Sequence, residues 1–393
     1  MSRINKLIRK LCPNGVEYKK LEDCCNILDN KRKPISKGMR KMGEYPYYGA
    51  NGIQDYISDY IFDGKYVLVG EDGSVQTPNG TPIVKWAIGK IWVNNHAHII
   101  EEIDGVSLRY LYHYLQIVDV KDLIHGNIPK LNQSNFRNIK IAVPPLEVQE
   151  EIVKILDKFG ELEEELEAEL EARKSQYEFW HKKIFDNSNG KVAKLSDLCI
   201  IGDGLHGTPH YVDESEYYFI NGNNLNNGKI TYDNKTKKVS KKDSDNQSIL
   251  LNDNTLLMSI NGTIGKVSYY NNEKIMLGKS VAYFNIKDKN RLSKKYLYYL
   301  LQSPNSIKYY QDSLTGSTIL NLGLKSLREF EVQIPSIDEQ NRVANILERF
   351  DKLINDITVG IPAEIELRRK QYEYYRNKLL SFEELYYEWF IRW

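Results

Sequence analysis

The sequence predicts an α+β chain built as a tandem repeat: a mixed α/β globular domain with a β-rich core, a long helix, a second such domain and a second long helix. Three observations predict it. A helical block beginning at Pro144 recurs at Pro335, an offset of 191. Short motifs before the first block reappear in the same order before the second. Charge changes sign at the same boundaries. The expected segments are 1–143, 144–186, 187–334 and 335–393.

Residues 3–12 have the spacing of a short amphipathic helix, ended by Pro13-Asn14-Gly15. The β-branched and aromatic runs at 45–53, 65–74, 82–88 and 90–100 are bounded by Gly, Asn and Pro, and are expected to be strands. SLRYLYHYLQ (107–116) is expected to be a helix, and HGNIPKLNQSNF after it a loop.

The first helical block reads PPLEVQEEIVKILDKF from Pro144, and its counterpart PSIDEQNRVANILERF from Pro335. Pro144/Pro335, Leu146/Ile337, Gln149/Gln340, Ile155/Ile346, Leu156/Leu347 and Phe159/Phe350 agree in type. Apolar residues at Ile155, Phe159, Leu162, Leu166, Leu170, Tyr177, Trp180 and Ile184, with Arg173 as the one break between Leu170 and Tyr177, step by three and four, the seam of a helix that packs on another helix. From Leu146 to Ile184 such a helix is roughly 58 Å long. Further on, RKSQYEFWHKKI from Arg173 answers RRKQYEYYRNKL from Arg368, with the offset grown to 195. Four extra residues are close to one turn, so the seam keeps its direction. Gly360-Ile361-Pro362 predicts a break in the second block, with glycine ending one helix and proline opening the next.

The second globular segment repeats the first with divergence. KLEDCCNI (20–27) matches KLSDLCII (194–201), EYPYYGANGI (44–53) matches EYYFINGNNL (216–225), and SLRYLYHYLQ matches SKKYLYYLLQ (293–302). GNIPKLNQSNFRNIKIAVP matches STILNLGLKSLREFEVQIP (317–335).

The net charge of +1 conceals segregation. Residues 1–145 hold 20 Lys+Arg against 15 Asp+Glu, 146–186 hold 6 against 13, 187–336 hold 19 against 14, and 337–393 hold 9 against 11. Basic segments attract phosphate and the acidic helices repel it. No apolar run approaches a membrane span and MSRINKLIRK has no signal-peptide core, so no membrane and a cytoplasmic site are expected. Four cysteines without CxxC spacing read as reduced thiols.

Catalytic motifs fail on inspection. NGTIGK (261–266) has Ile260 in place of the first phosphate-loop glycine and Val267 in place of Ser or Thr. No GxSxG, HExxH, EF-hand loop or Asn/Asp-Pro-Pro-aromatic tetrapeptide occurs. His96 and His98 share one face of a strand, but no third metal ligand is suggested beside them. No catalytic or metal residue is expected.

Recognition chemistry has better candidates. Lys31, Arg32 and Lys33, and Lys237 with Lys238, lie in lysine-rich loops suited to phosphates, although a solvated loop would look the same. Tyr48, Asn51, Asn94, Asn95 and His96, and His206, His210, Asn221, Asn223 and Asn224, sit at turns or strand ends. Amides there can read adenine edges. Tyrosine, at 28 of 393 residues, suits a wet recognition surface.

LCPNGVEYKKLEDC, YPYYGANGI, VNNHAH, QYEFWHKKI and RRKQYEYYRNKLLSF resemble the specificity subunit of Type I restriction–modification enzymes, over essentially the whole chain. The resemblance implies two target-recognition domains separated by two long spacer helices, paired antiparallel as a coiled coil with pseudo-twofold symmetry. It implies that each domain reads one half of a bipartite, asymmetric site in double-stranded DNA. It also implies DNA methyltransferase subunits using S-adenosylmethionine, and restriction/translocase subunits using ATP and Mg, with no cofactor in this chain. Two rigidly spaced readers would set half-site separation as a dimer interface sets operator spacing. The recognition subunit of a related system with a fused cutting and methylating partner, or a non-DNA helical scaffold, are the alternatives at this point.

Overall fold

A computed structural model describes residues 3–73, 75–186, 189–247, 249–316 and 320–385. Residues 317–319, which open the STILNLG block, and the end of the chain after 385 lie outside the described residues. The chain forms two compact units, 1–167 together with 364–393, and 168–363. This division cuts across linear order, because each unit takes part of both helical blocks.

In the first unit the helix Arg3–Leu11 turns Ile4, Leu7, Ile8 and Leu11 into the core. Glu17–Lys20 pairs antiparallel with Lys140–Val143. A six-stranded sheet follows in the order Asn26–Ile27, Ala97–Glu101, Phe62–Gly70, Val84–Val93, Met42–Gly49, Gly52–Ile57. Its central strand shows the two-residue period: Val67 and Val69 face the helix Leu108–Leu115, while Tyr66 and Leu68 face a second cluster with Phe62, Ile91 and Ile99. Both faces of this central strand are therefore covered from Tyr66 to Val69.

Element boundaries depart from expectation in several places: the run at 65–74 is strand only as far as Gly70, and the expected loop after Leu115 carries the strand Lys130–Leu131 and enters the helix Gln133–Arg137. Residues 45–53 form a hairpin, turning at Ala50-Asn51 with Gly49 opposite Gly52. The expected strands at 82–88 and 90–100 are divided elsewhere: Val84–Val93 is continuous through Gly89, opposite Gly64, and a new strand starts at Ala97. Gly89 has φ +81°, which glycine adopts without strain, so the residue that looked like a terminator lies inside the strand.

In the second unit Lys191–Lys194 pairs antiparallel with Glu331–Ile334, as the equivalent strands do in the first. The sheets differ. One has the order Cys199–Asp203, Val281–Ile286, Thr255–Ser259, Val267–Tyr269, and another Tyr211–Val212, Lys238–Val239, Tyr217–Ile220, Ile275–Leu277. The helix Lys294–Leu301 packs Leu297 and Leu301 beneath the first of them.

The central helix runs unbroken from Leu146 to Asp186. In the first unit it pairs antiparallel with Ile361–Leu380: Phe159 stacks on Tyr375 with centroids 5.4 Å apart, and Arg369 reaches back to Glu163 at 2.6 Å and Glu167 at 2.7 Å. In the second unit its remainder pairs with Ile337–Asn355, bringing Tyr177 to 6.4 Å from Phe350 and Ile184 into one core with Val343 and Leu347. Val148, Ile152 and Leu156 are fully buried beneath the first unit's core, whereas the seam from Phe159 to Tyr177 is only half-buried, as a two-helix pair requires. The second block breaks over 356–360. Gly360 is not left-handed. It is needed because a Cβ would lie 2.6 Å from the Lys352 carbonyl and 2.7 Å from those of Leu353 and Asp356.

Both helical blocks anchor in the same way. Gln149 is buried and its carboxamide bonds to Ser107, Gly105 and Pro144; Gln340 is buried and bonds to Ser293, Arg291 and Pro335. No helix among the described residues is long and apolar enough to cross a membrane.

Candidate nucleic-acid interface

The basic loop of the first unit divides by residue type. Lys31 and Lys33 are exposed, but Arg32 is drawn inward. Its guanidinium bonds to Glu71 at 2.6 Å and to the Ala97 carbonyl at 2.6 Å, and lies 3.4 Å from Asp29. The basic run predicts Arg32 on phosphate; its donors are instead spent on the protein. His98 completes this network, bonding to Asp29 at 2.6 Å and the Leu131 carbonyl at 2.8 Å, with its ring stacked 4.1 Å from Phe136. Burial raises the Asp29 pKa, but the His98 hydrogen bond and charge, with Arg32 beside it, outweigh burial and hold the carboxyl below its ordinary value.

Asp29, Glu71 and His98 present ligand atoms within 4.8 Å of one another, a metal-like grouping that sequence spacing did not reveal. Arg32 and Lys130, the latter 3.1 Å from Glu71, already supply the countercharge, so the cluster fits a closed ion network better than a cation site. His96 goes elsewhere, onto Asp72.

The other expected residues of this unit separate into exposed tips and buried supports. Asn51, Asn95 and His96 are exposed. Tyr48 and Asn94 are buried, against expectation: strand pairing turns Tyr48 into the core, and the Asn94 amide accepts from the His96 N–H at 2.8 Å and donates to Gln54. Asn94 therefore shapes the turn that presents Asn95 and His96. Asn51 lines a cleft of about 440 Å³ with Thr77, Asn79, Lys85 and Arg376, residues not singled out from sequence because they come from distant segments.

In the second unit Asn221, Asn223 and Lys237 line a cleft of about 440 Å³ with Tyr211, Tyr232 and Lys235. Asn221 and Asn223 are exposed, on the turn aligned with the Asn51 hairpin. Asn224 is committed internally: Oδ1 accepts from the Asn221 N–H, and Nδ2 donates to the Thr231 carbonyl at 2.9 Å and the Thr236 hydroxyl at 3.2 Å. It builds the loop and leaves no donor for a base. Lys238 lies 5.7 Å from the Tyr218 ring centroid. His206 and His210 are exposed in a separate loop, His206 bonded to Asp203 at 2.7 Å. Each unit thus offers a polar, amide-bearing cleft flanked by lysine.

The sequence matches the Type I restriction modification DNA specificity domain twice, over residues 13–172 and 187–367. A Haemophilus influenzae protein named as a type I restriction enzyme specificity subunit is 33% identical over 93% of this chain and 96% of its own. The Escherichia coli type I restriction enzyme EcoR124I/EcoR124II specificity subunit is 32% identical over 70% of this chain and 71% of its own. Among solved structures, a chain from work on complex assembly and conformational transition of the type I R-M system shares the fold with a TM-score of 0.61 at 12% identity, covering 94% of this chain and 98% of that one. The type I S subunit from M. genitalium does so at 0.55 and 14%, covering 93% and 96%.

Proposed function

This chain belongs to the Type I restriction–modification DNA specificity family, and we propose that it reads DNA for such a complex, one half of a bipartite asymmetric site in each unit. One observation carries the two-reader reading. The frame of the repeat is kept to the level of single hydrogen bonds at Gln149 and Gln340, while the sheets and clefts it supports differ. A shared scaffold with two different surfaces suits two different half-sites.

In this reading Lys31, Lys33, Asn51, Asn95 and His96 face one half-site, and His206, His210, Asn221, Asn223, Lys237 and Lys238 the other. Arg32, Tyr48, Asn94 and Asn224 hold those surfaces from behind. Exposed amides read adenine edges and lysines take guanine or phosphate. The chain performs no chemistry. Methyltransferase subunits dock on the acidic helices and bring S-adenosylmethionine; restriction/translocase subunits bring the ATP- and Mg-dependent steps.

Exchanging residues 1–143 for those of another family member and sequencing the methylated sites tests this. One half of the motif should change. A change in both halves would refute the division of labour, and methyl transfer by the purified chain alone would refute the non-catalytic role.

A further inference from the structure

Between Asn30 and Gly43 the chain holds six basic residues, no acidic one and two methionines. Its two arginines point inward. Arg32 is tied to Glu71 and Ala97; Arg40 lies 4.1 Å over the Tyr47 ring and donates to the Ile35 carbonyl at 3.0 Å. The backbone is stapled as well. Trp92 Nε1 donates to the Lys33 carbonyl at 2.6 Å, the Ile35 N–H donates to the Tyr47 hydroxyl at 3.0 Å, and the Ser58 N–H donates to the Lys41 carbonyl at 2.9 Å. Ile35 packs into a small cluster with Tyr47, Ile57 and Trp92.

What this fixed loop shows to solvent is Lys31, Lys33, Lys37 and Lys41, with Met39 77% and Met42 94% exposed. A surface built only for solubility gains nothing from two exposed methionines among lysines. DNA-bending proteins, by contrast, hold the duplex by lysine or arginine and press an apolar side chain against a base step. The loop's fixed backbone lowers the ordering cost of such a contact.

We propose that Lys31–Met42 is a preformed finger for duplex DNA, in which the four lysines grip phosphates and Met39 and Met42 press on the base stack. This rests on the reading of the chain as a DNA specificity subunit and adds a deformation step to it. The two methionines would make one half-site sensitive to how easily its base steps unstack, a form of selectivity that needs no hydrogen bond to a base.

The test uses the full chain assembled with its methyltransferase partner, on duplexes of the methylated motif. 2-Aminopurine replaces each adenine in turn, the methylated adenines excepted. The expected result is a fluorescence rise at one step in the first unit's half-site, lost in M39A/M42A with the salt dependence of binding unchanged. The K31A/K33A/K37A/K41A variant should lower the slope of log affinity against log salt by about 3–4, from roughly 0.9 per phosphate contact. Wild-type complex that brightens at no step, or a rise that survives in M39A/M42A, overturns the wedge. An unchanged salt slope in the lysine variant overturns the phosphate grip. A wild-type complex that binds its motif no better than random duplex refutes the specificity-subunit reading itself.

Discussion

Gln149 holds Ser107 in place: its Oε1 accepts the Ser107 N–H at 2.9 Å while its Nε2 donates to the carbonyls of Gly105, at 3.2 Å, and Pro144, at 2.8 Å. Ser107 is the N-cap of Leu108–Leu115, so one buried carboxamide joins the start of a domain helix to the start of the central helix. Gln149→Leu removes three hydrogen bonds, of which the one to the Pro144 carbonyl is fully buried, and should cost about 1–3 kcal/mol. Hydrogen exchange should quicken in Leu108–Leu115 and not in Lys294–Leu301; Gln340→Leu should do the reverse. Equal quickening of both helices in either variant would mean that the contact is not a local pin.

Beneath that helix Asp157 accepts from Arg109 Nε at 2.8 Å and from His113 Nε2 at 2.7 Å. The corresponding pair in the second unit is Lys295 with Glu348, 2.7 Å apart, the lysine half-exposed. Asp157→Asn should therefore destabilise by about 1–2 kcal/mol, since two charge-assisted bonds are weakened. Glu348→Gln should cost at most about 0.5 kcal/mol, as for other solvent-exposed pairs. Denaturant midpoints of the two variants give the comparison.

Burial lowers the pKa of His113, against the raising effect of Asp157, and lowers that of His181, against its hydrogen bond to the Tyr299 carbonyl. The geometry fits neutral rings: His113 donates from Nε2 to Asp157 and accepts the Tyr372 hydroxyl at Nδ1, 3.0 Å away. A base whose folded pKa is depressed gives stability that is present above its unfolded value of 6.5 and lost as pH falls through the folded value. The thermal midpoint should be flat from about pH 8 to 7 and decline below about 6.5. In the H113Q/H181Q double variant that decline should be shallower.

All four cysteines are buried, and burial is the first cause of each raised thiol pKa, to about 11 for Cys24 and about 12 for Cys199. The thiolate is the reactive form. A chromogenic disulfide at pH 8 should label the native chain slowly and all four thiols once guanidinium is added. Rapid labelling of the folded chain would contradict this burial.

The helical frame was legible in the sequence because its signals are local and repeated. Gln149 and Gln340 align by simple offset, and the seam repeats every three to four residues. The strand pairings were less so, since Gly49 and Gly89 look alike in sequence although one precedes a hairpin turn and the other lies within a strand. Site residues were read least well. Arg32 stands between two lysines of the same charge, and only contacts with Glu71 and Ala97, 39 and 65 residues away, separate it from them. Asn94 and Asn95 are identical neighbours, yet the former is 2% exposed and the latter open to solvent. Burial of alternate residues in a strand end is set by partners that one stretch of sequence does not contain.

The first unit draws its final pieces from the far end of the chain: Leu379 and Leu380 lie in its core, Tyr18 bonds to the Phe382 carbonyl, and Val16 exchanges backbone bonds with Glu383 and Leu385. During synthesis these pieces leave the ribosome after residues 168–363, the whole of the second unit, have been made. At 5–20 residues per second the N-terminal unit waits about 10–40 s for its closing helix. The second unit, contiguous in sequence, can fold in that interval. The half made first is therefore completed last, and a nascent chain stalled before Glu364 would carry one finished reader and one still open to proteases and chaperones.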